Sequence, residues 1–185
     1  MTVANIPDHL LSLEEWAALP EDDVHRYELV EGVLQVCARP LFNHQRAIMK
    51  LSHQLDRQLP PELAVAPEVE VVLERRTPAT VRVPDLIVIP SDVARTNPAR
   101  SDAAVVSLAV EVVSPGSARL DRVFKLHEYA EAGIPHYWIV ELEPMPVISA
   151  FTLAGDHYEL SARATDLLTV TEPAELSIAV GELTP

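Results

Sequence analysis

Short apolar runs separated by proline, glycine and charged residues dominate the chain, and most are too short and too rich in β-branched residues to be helices. They read as strands. Arg26 to Val30 and Val33 to Ala38 flank Glu31-Gly32, which predicts a hairpin whose turn uses the conformational freedom of glycine. Further strands are expected at about Ala64 to Ala66, Val69 to Leu73, Val81 to Ile89, Leu108 to Val113, His136 to Val140, Val147 to Leu153 and His157 to Leu160. Helical signals are fewer. Ser12-Leu13-Glu14-Glu15 has the capping-box pattern and opens a short helix through Trp16 to Leu19, closed by Pro20. His44, Ile48, Leu51 and Leu55 recur at helical spacing, predicting an amphipathic helix from about Phe42 to Leu59. Another helix is expected from near Arg119 to Gly133, with Leu120, Phe124 and Ala130 on its inner stripe and Pro135 just beyond. The tail from Leu167 to Pro185 alternates too weakly to assign. This order predicts one α/β domain, residues 1–185, with a central mixed β-sheet flanked by helices and an N-terminal helix and hairpin.

Two carboxylates break the apolar pattern. Asp85 lies in Val81-Arg82-Val83-Pro84-Asp85-Leu86-Ile87-Val88-Ile89, and Glu111 in Leu108-Ala109-Val110-Glu111-Val112-Val113. A buried charge is costly unless paired, neutralised or bound to metal. Within ~4 Å of each other the two would repel by ~4 kcal/mol at an effective dielectric of about 20, and a divalent cation would turn that repulsion into a binding site. Pro84 cannot donate to a ladder, so it marks a strand edge, start or bulge, where a side chain is re-aimed. The bland alternatives are backbone N–H bonds to Asp85 and a buried ion pair between Glu111 and an arginine.

Asp121, Lys125 and Tyr129 fall at i, i+4 and i+8, on one face of the second long helix. From spacing alone the first two are a surface ion pair. The functional alternative has Lys125 reaching toward the two carboxylates, orienting water or stabilising charge on a phosphate. Tyr129 reads as a packing residue with a hydrogen-bonded hydroxyl. His44 sits in the first turn of its helix in line with the apolar stripe, as a core or capping histidine would. Glu31 beside Gly32 fits an ordinary turn, whereas Glu28 has solvent and site open to it. The seven histidines show no zinc spacing with Cys37, which reads as a small buried hydrophobe.

Composition narrows the partners. With 185 residues at 48% hydrophobic content, the chain suits a globular domain. The formal charge of −14 argues against a sequence-independent grip on nucleic acid, which depends on lysine and arginine displacing counterions. The arginines at 75, 76, 82, 95, 100, 119 and 122, with Lys125, read equally well as solvated faces or as local positive charge. One cysteine, no basic cluster ahead of an apolar N-terminal run and no span-length apolar stretch lead us to expect a cytoplasmic protein without a membrane partner.

Taken together these residues resemble the PD-(D/E)xK nuclease superfamily, and within it the Uma-two family of restriction-endonuclease-like proteins. The resemblance rests on an ordered set of segments: Tyr27-Glu28-Leu29-Val30-Glu31-Gly32, the helix carrying His44, Val83-Pro84-Asp85-Leu86-Ile87-Val88, Val110-Glu111-Val112-Val113-Ser114-Pro115, Asp121 with Lys125 and Tyr129, and Ala132 to Val140. It implies a restriction-endonuclease-like core and Mg²⁺-dependent hydrolysis of nucleic-acid phosphodiesters, with DNA the expected substrate and Mn²⁺ a substitute ion. Carried over, Asp85 and Glu111 are metal ligands joined by the Val112 carbonyl, and Lys125 is the catalytic lysine. Glu28, Glu31, His44, Asp121 and Tyr129 are supporting residues. The superfamily's lysine two places after the acidic residue is Val113 here, and the helical Lys125 stands in for it. Cutting two strands would suit a homodimer, an expectation from analogy alone. A binding or regulatory module that lost the chemistry, and a hydrolase of small phosphorylated compounds, stay open as alternatives.

Overall fold

The computed structural model describes residues 7–20, 26–37, 39–114 and 120–184. In it Pro84 divides the most apolar run of the chain between two sheets. In spatial order the first sheet contains β2 (Val33–Cys37), β1 (Arg26–Val30), β5 (Thr80–Arg82), β4 (Glu70–Glu74) and β7 (Arg100–Asp102). The second contains β11 (His157–Ala164), β10 (Val147–Ala154), β9 (His136–Glu141), β8 (Leu108–Val112), β6 (Leu86–Pro90) and β3 (Leu63–Pro67). β8 and β9 run parallel, as do β4 and β7, while β6 is antiparallel to both β3 and β8. Both sheets are therefore mixed, as expected.

The continuous strand expected over Val81 to Ile89 is instead two strands. Proline lacks the ladder N–H and restricts the residue before it, so Val83-Pro84-Asp85 forms the crossing from β5 to β6. Side-chain alternation then sorts the second sheet. Leu86 and Val88 of β6, with Leu108, Val110 and Val112 of β8, face α2 (Phe42–Asp56), which buries Ala47, Ile48, Leu51 and Leu55 against them. Ile87 and Ala109 point the other way, toward Tyr129, Ala130 and Ile134. Glu111, two residues after Ala109, belongs to that second face.

At the N-terminus Ser12 caps α1 (Leu13–Ala17) with the full reciprocal box to Glu15. The β1–β2 turn has positive φ at both Glu31 (+48°) and Gly32 (+76°), the arrangement that matches hairpin twist. A Cβ on Gly32 would lie 2.8 Å from Leu10 Cβ and 2.9 Å from the Leu11 backbone nitrogen. Gly32→Ala is therefore expected to destabilise the fold by about 1–3 kcal/mol, read as a lowered thermal midpoint; an unchanged midpoint would show that this turn is not wedged under residues 10 and 11.

The second long helix differs from its expected form. Leu120–Lys125 is a π-helical turn that runs into α4 (Leu126–Glu131), after a short α3 (Ser91–Arg95) earlier in the chain. The expected start, Arg119, lies outside the described residues, as does Ala38 at the end of the first hairpin. Of the expected inner stripe Ala130 is buried but Phe124 is half exposed, and the charged stripe of Asp121, Lys125 and Tyr129 is buried as well. A π turn adds a residue and re-aims side chains, a device frequent at functional sites. The unassigned tail contains the hairpin of β12 (Leu167–Val170) and β13 (Leu176–Ala179), packed on the α2 side. Among the described residues no helix is long and apolar enough to cross a membrane.

Candidate active site at the junction of the two sheets

The β6–β8 register pairs Leu86 with Val110, so the next antiparallel position sets Asp85 opposite Glu111. Asp85 sits just beyond the ladder, where its carboxylate is free to turn, and Oδ2 accepts the Val112 backbone N–H at 2.7 Å. Its Oδ1 accepts from His44 Nε2 at 3.2 Å. A carboxylate only accepts, so the histidine proton lies on Nε2, while Nδ1 meets the Ser114 hydroxyl at 3.1 Å. His44 is thus satisfied on both ring nitrogens and fixes Asp85 from the α2 side. Arg26 approaches Asp85 Oδ1 to 3.9 Å while pairing with Glu68 at 2.9 Å and donating to the Val83 carbonyl.

Glu111 lies under the π turn. Its Oε1 accepts from Lys125 Nζ at 2.8 Å and from the Tyr129 hydroxyl at 2.7 Å. Lys125 also lies 3.2 Å from Glu28 Oε1 and 3.8 Å from Asp121 Oδ1. One buried ammonium therefore serves three buried carboxylates. Glu28, only 1% exposed, is held further by the Val83 N–H at 3.0 Å and by Arg82 Nη1 at 2.8 Å. Arg82 directs Nε and Nη2 onto Glu128 as a fork, at 2.6 and 2.7 Å.

The electrostatics follow from this crowding. Burial, partly offset by Lys125 and reinforced by Asp85, Asp121 and Glu28, pushes the Glu111 carboxyl up to about 8. Burial also opposes charge on Lys125, but Glu111, Glu28 and Asp121 outweigh it and hold the ammonium above its ordinary value. For Glu28 burial is likewise overcome, here by Lys125 and Arg82, and its carboxyl stays below its ordinary value. Lys125, Arg82 and Arg26 are thus shared among Glu28, Glu111, Asp121, Asp85, Glu128 and Glu68, which leaves negative charge in surplus over these three cations. Such a surplus calls for a bound proton or a bound cation. The hard oxygen donors of Asp85 and Glu111 suit Mg²⁺, as does the backbone carbonyl of Val112, the residue after Glu111. Among the described residues no three or more histidine, cysteine, aspartate or glutamate side chains form an all-protein metal cage. Mg²⁺ is commonly held without one, by one or two carboxylates with waters and substrate phosphate.

Of the residues singled out from sequence, Glu28, His44, Asp85, Glu111, Val112, Asp121, Lys125 and Tyr129 converge here. Glu31 does not. It is exposed at the hairpin turn, three residues past Glu28, and its backbone N–H donates to the Thr80 hydroxyl oxygen. The Asp121–Lys125 pair is not surface decoration, because Glu28 and Glu111 draw Lys125 inside. The alternative of an arginine partner for Glu111 is replaced by Lys125. Arg82, one of the arginines that read equally well as solvated or as local positive charge, is 1% exposed; a guanidinium inside Val81-Arg82-Val83 was the available signal for it. Arg26, Glu128 and Ser114 gave no such signal. Cys37 is half-buried, with its thiol pushed up to about 11 chiefly by burial.

A search of curated proteins gives no match. Among solved structures the chain is similar to a putative nuclease belonging to DUF820 from Anabaena variabilis, with 16% sequence identity, a TM-score of 0.72, and coverage of 94% of this chain and 97% of that one. At that identity the likeness establishes the fold. A family model described as "Putative restriction endonuclease" matches residues 13–181, and the chain therefore belongs to the Uma2 family.

Proposed function

We propose that the protein is a Mg²⁺-dependent nuclease that hydrolyses phosphodiester bonds of DNA, with Asp85, Glu111 and the Val112 carbonyl holding the ion. The observation that carries this reading is the surplus of buried carboxylates around a single lysine, on a family fold whose members are described as endonuclease-like. Mg²⁺ bound there supplies Lewis-acid charge neutralisation and a more acidic water. The chain's own groups do the positioning. His44 orients Asp85, and Tyr129 with Lys125 orients Glu111. Lys125 in turn places an ammonium where negative charge develops on a phosphate, and Glu28 with Arg82 keeps that ammonium in register. A homodimer belongs to this reading only if both strands of a duplex are cut.

Titration calorimetry with Mg²⁺ or Mn²⁺ tests the site. Wild type is expected to bind, and Asp85→Ala to lose binding; equal heats would remove the metal site. Cleavage assays at low salt on single-stranded, duplex and branched DNA then test the chemistry. Metal binding without cleavage of any of them would favour a non-catalytic module.

A further inference from the structure

Next to Asp85 the surface opens into a cleft of about 530 Å³, within the size range of small-ligand pockets. It shares His44 and Ser114 with the candidate site, so whatever occupies it lies against the Asp85 hydrogen-bond chain. Its walls are chemically uneven. Val113, Leu142 and Leu41 make an apolar lining, Asn43 supplies an amide, and Arg122 is paired with Glu141. At the rim stands Phe42, 76% exposed, although burying a phenyl ring is worth about 1.5–3 kcal/mol. Phe42 and His44 both lie in the first turn of α2, and both line the cleft.

A flat group with apolar faces and polar edges, attached to a phosphate, fits such walls. That describes a nucleobase. In a duplex each base is stacked on its neighbours and its edge is paired, so its face is not available to a protein ring. An unpaired base has both. Charge points the same way: at −14 the chain gains little from counterion release, and binding to a polyanion must draw on base stacking instead. We infer that this cleft seats an unpaired base of single-stranded DNA on Phe42, with the adjoining phosphate presented to Asp85 and Glu111. The inference rests on the nuclease reading and names its substrate class.

The test measures fluorescence anisotropy of a labelled 12-nucleotide single strand and of its duplex, at low salt with Ca²⁺, alongside cleavage with Mg²⁺. The wild type is expected to bind the single strand at least about tenfold more tightly than the duplex, and Phe42→Ala to weaken single-strand binding by about tenfold or more. Phe42→Trp should retain it. Met49→Ala, at a position also exposed (61%) seven residues along α2, should leave it unchanged. Equal affinity for duplex, or an unaltered Phe42→Ala, overturns the inference. The two levels separate cleanly: duplex cleavage indifferent to Phe42 sinks the base-seating cleft and leaves the nuclease standing. Phe42-dependent single-strand binding without cleavage keeps the cleft and sinks the nuclease.

Discussion

Replacing Lys125 by methionine is expected to abolish turnover while leaving Mg²⁺ affinity close to wild type. Lys125 holds no metal; it lies 2.8 Å from Glu111 Oε1 and 3.2 Å from Glu28 Oε1, buried where a phosphate bound at Asp85 and Glu111 would meet its charge. Removing one preorganised charge stabiliser of this kind costs a factor of roughly 10²–10³ in rate. The same substitution removes the cation that Glu28, Glu111 and Asp121 share and leaves Glu28 to Arg82, and an uncompensated buried charge costs about 3–5 kcal/mol of stability. The two effects are separable. A divalent ion that binds the folded state raises the melting temperature by mass action, so saturating Mg²⁺ should recover part of the lost stability and none of the turnover. Metal affinity is read by calorimetry and fold by circular dichroism on the same sample. Turnover retained in a folded, metal-bound Lys125→Met would reduce Lys125 to a structural ion-pair partner.

The sequence revealed the two buried carboxylates better than their neighbours, for a physical reason. A carboxylate in a β-branched run announces itself because nothing local can solvate it, which is why Asp85 and Glu111 stand out. Lys125 carries no such mark. Its i, i+4 partner Asp121 is as common on exposed helices as in sites, and only the tertiary placement of the π turn that carries them reveals that both are buried. The π turn itself leaves no signature in a 3.6-residue period, so the expected inner stripe put Phe124 inside and the structure puts it out. Pro84 was legible as an irregularity, but whether a proline bulges a strand or hands the chain to another sheet depends on partners hundreds of atoms away in sequence. The weakly patterned tail became a hairpin because α2 supplies what it lacks: Gln54 bonds the backbone of Ala179, and Gln58 that of Ser177. Helix α2, with its dense apolar stripe, was readable almost to the residue, and His44 came with it.

Arg82→Met is expected to destabilise the fold by about 3–5 kcal/mol, because it strands two carboxylates at once. The guanidinium is 1% exposed and gives Glu128 a bidentate fork, Glu28 a bond at 2.8 Å and Gln35 a bond at 3.1 Å. Glu128 retains partial access to water, since its side chain is 21% exposed; Glu28 has none and would lean wholly on Lys125. For a chain of this length each kcal/mol moves the midpoint by about 2–4 °C, so the expected fall is roughly 6–20 °C. Lysine at position 82 should recover only part of it, a compact ammonium being unable to reproduce a fork and a third bond together. If the arginine acts chiefly by neutralising Glu28 and Glu128, pairing Arg82→Met with Glu128→Gln should be less damaging than Arg82→Met alone, since one of the two orphaned charges disappears with it. A double variant that melts below the single one would show instead that Glu128 stabilises the fold independently of Arg82, and that the arginine's role lies with Glu28 and the lysine it steadies.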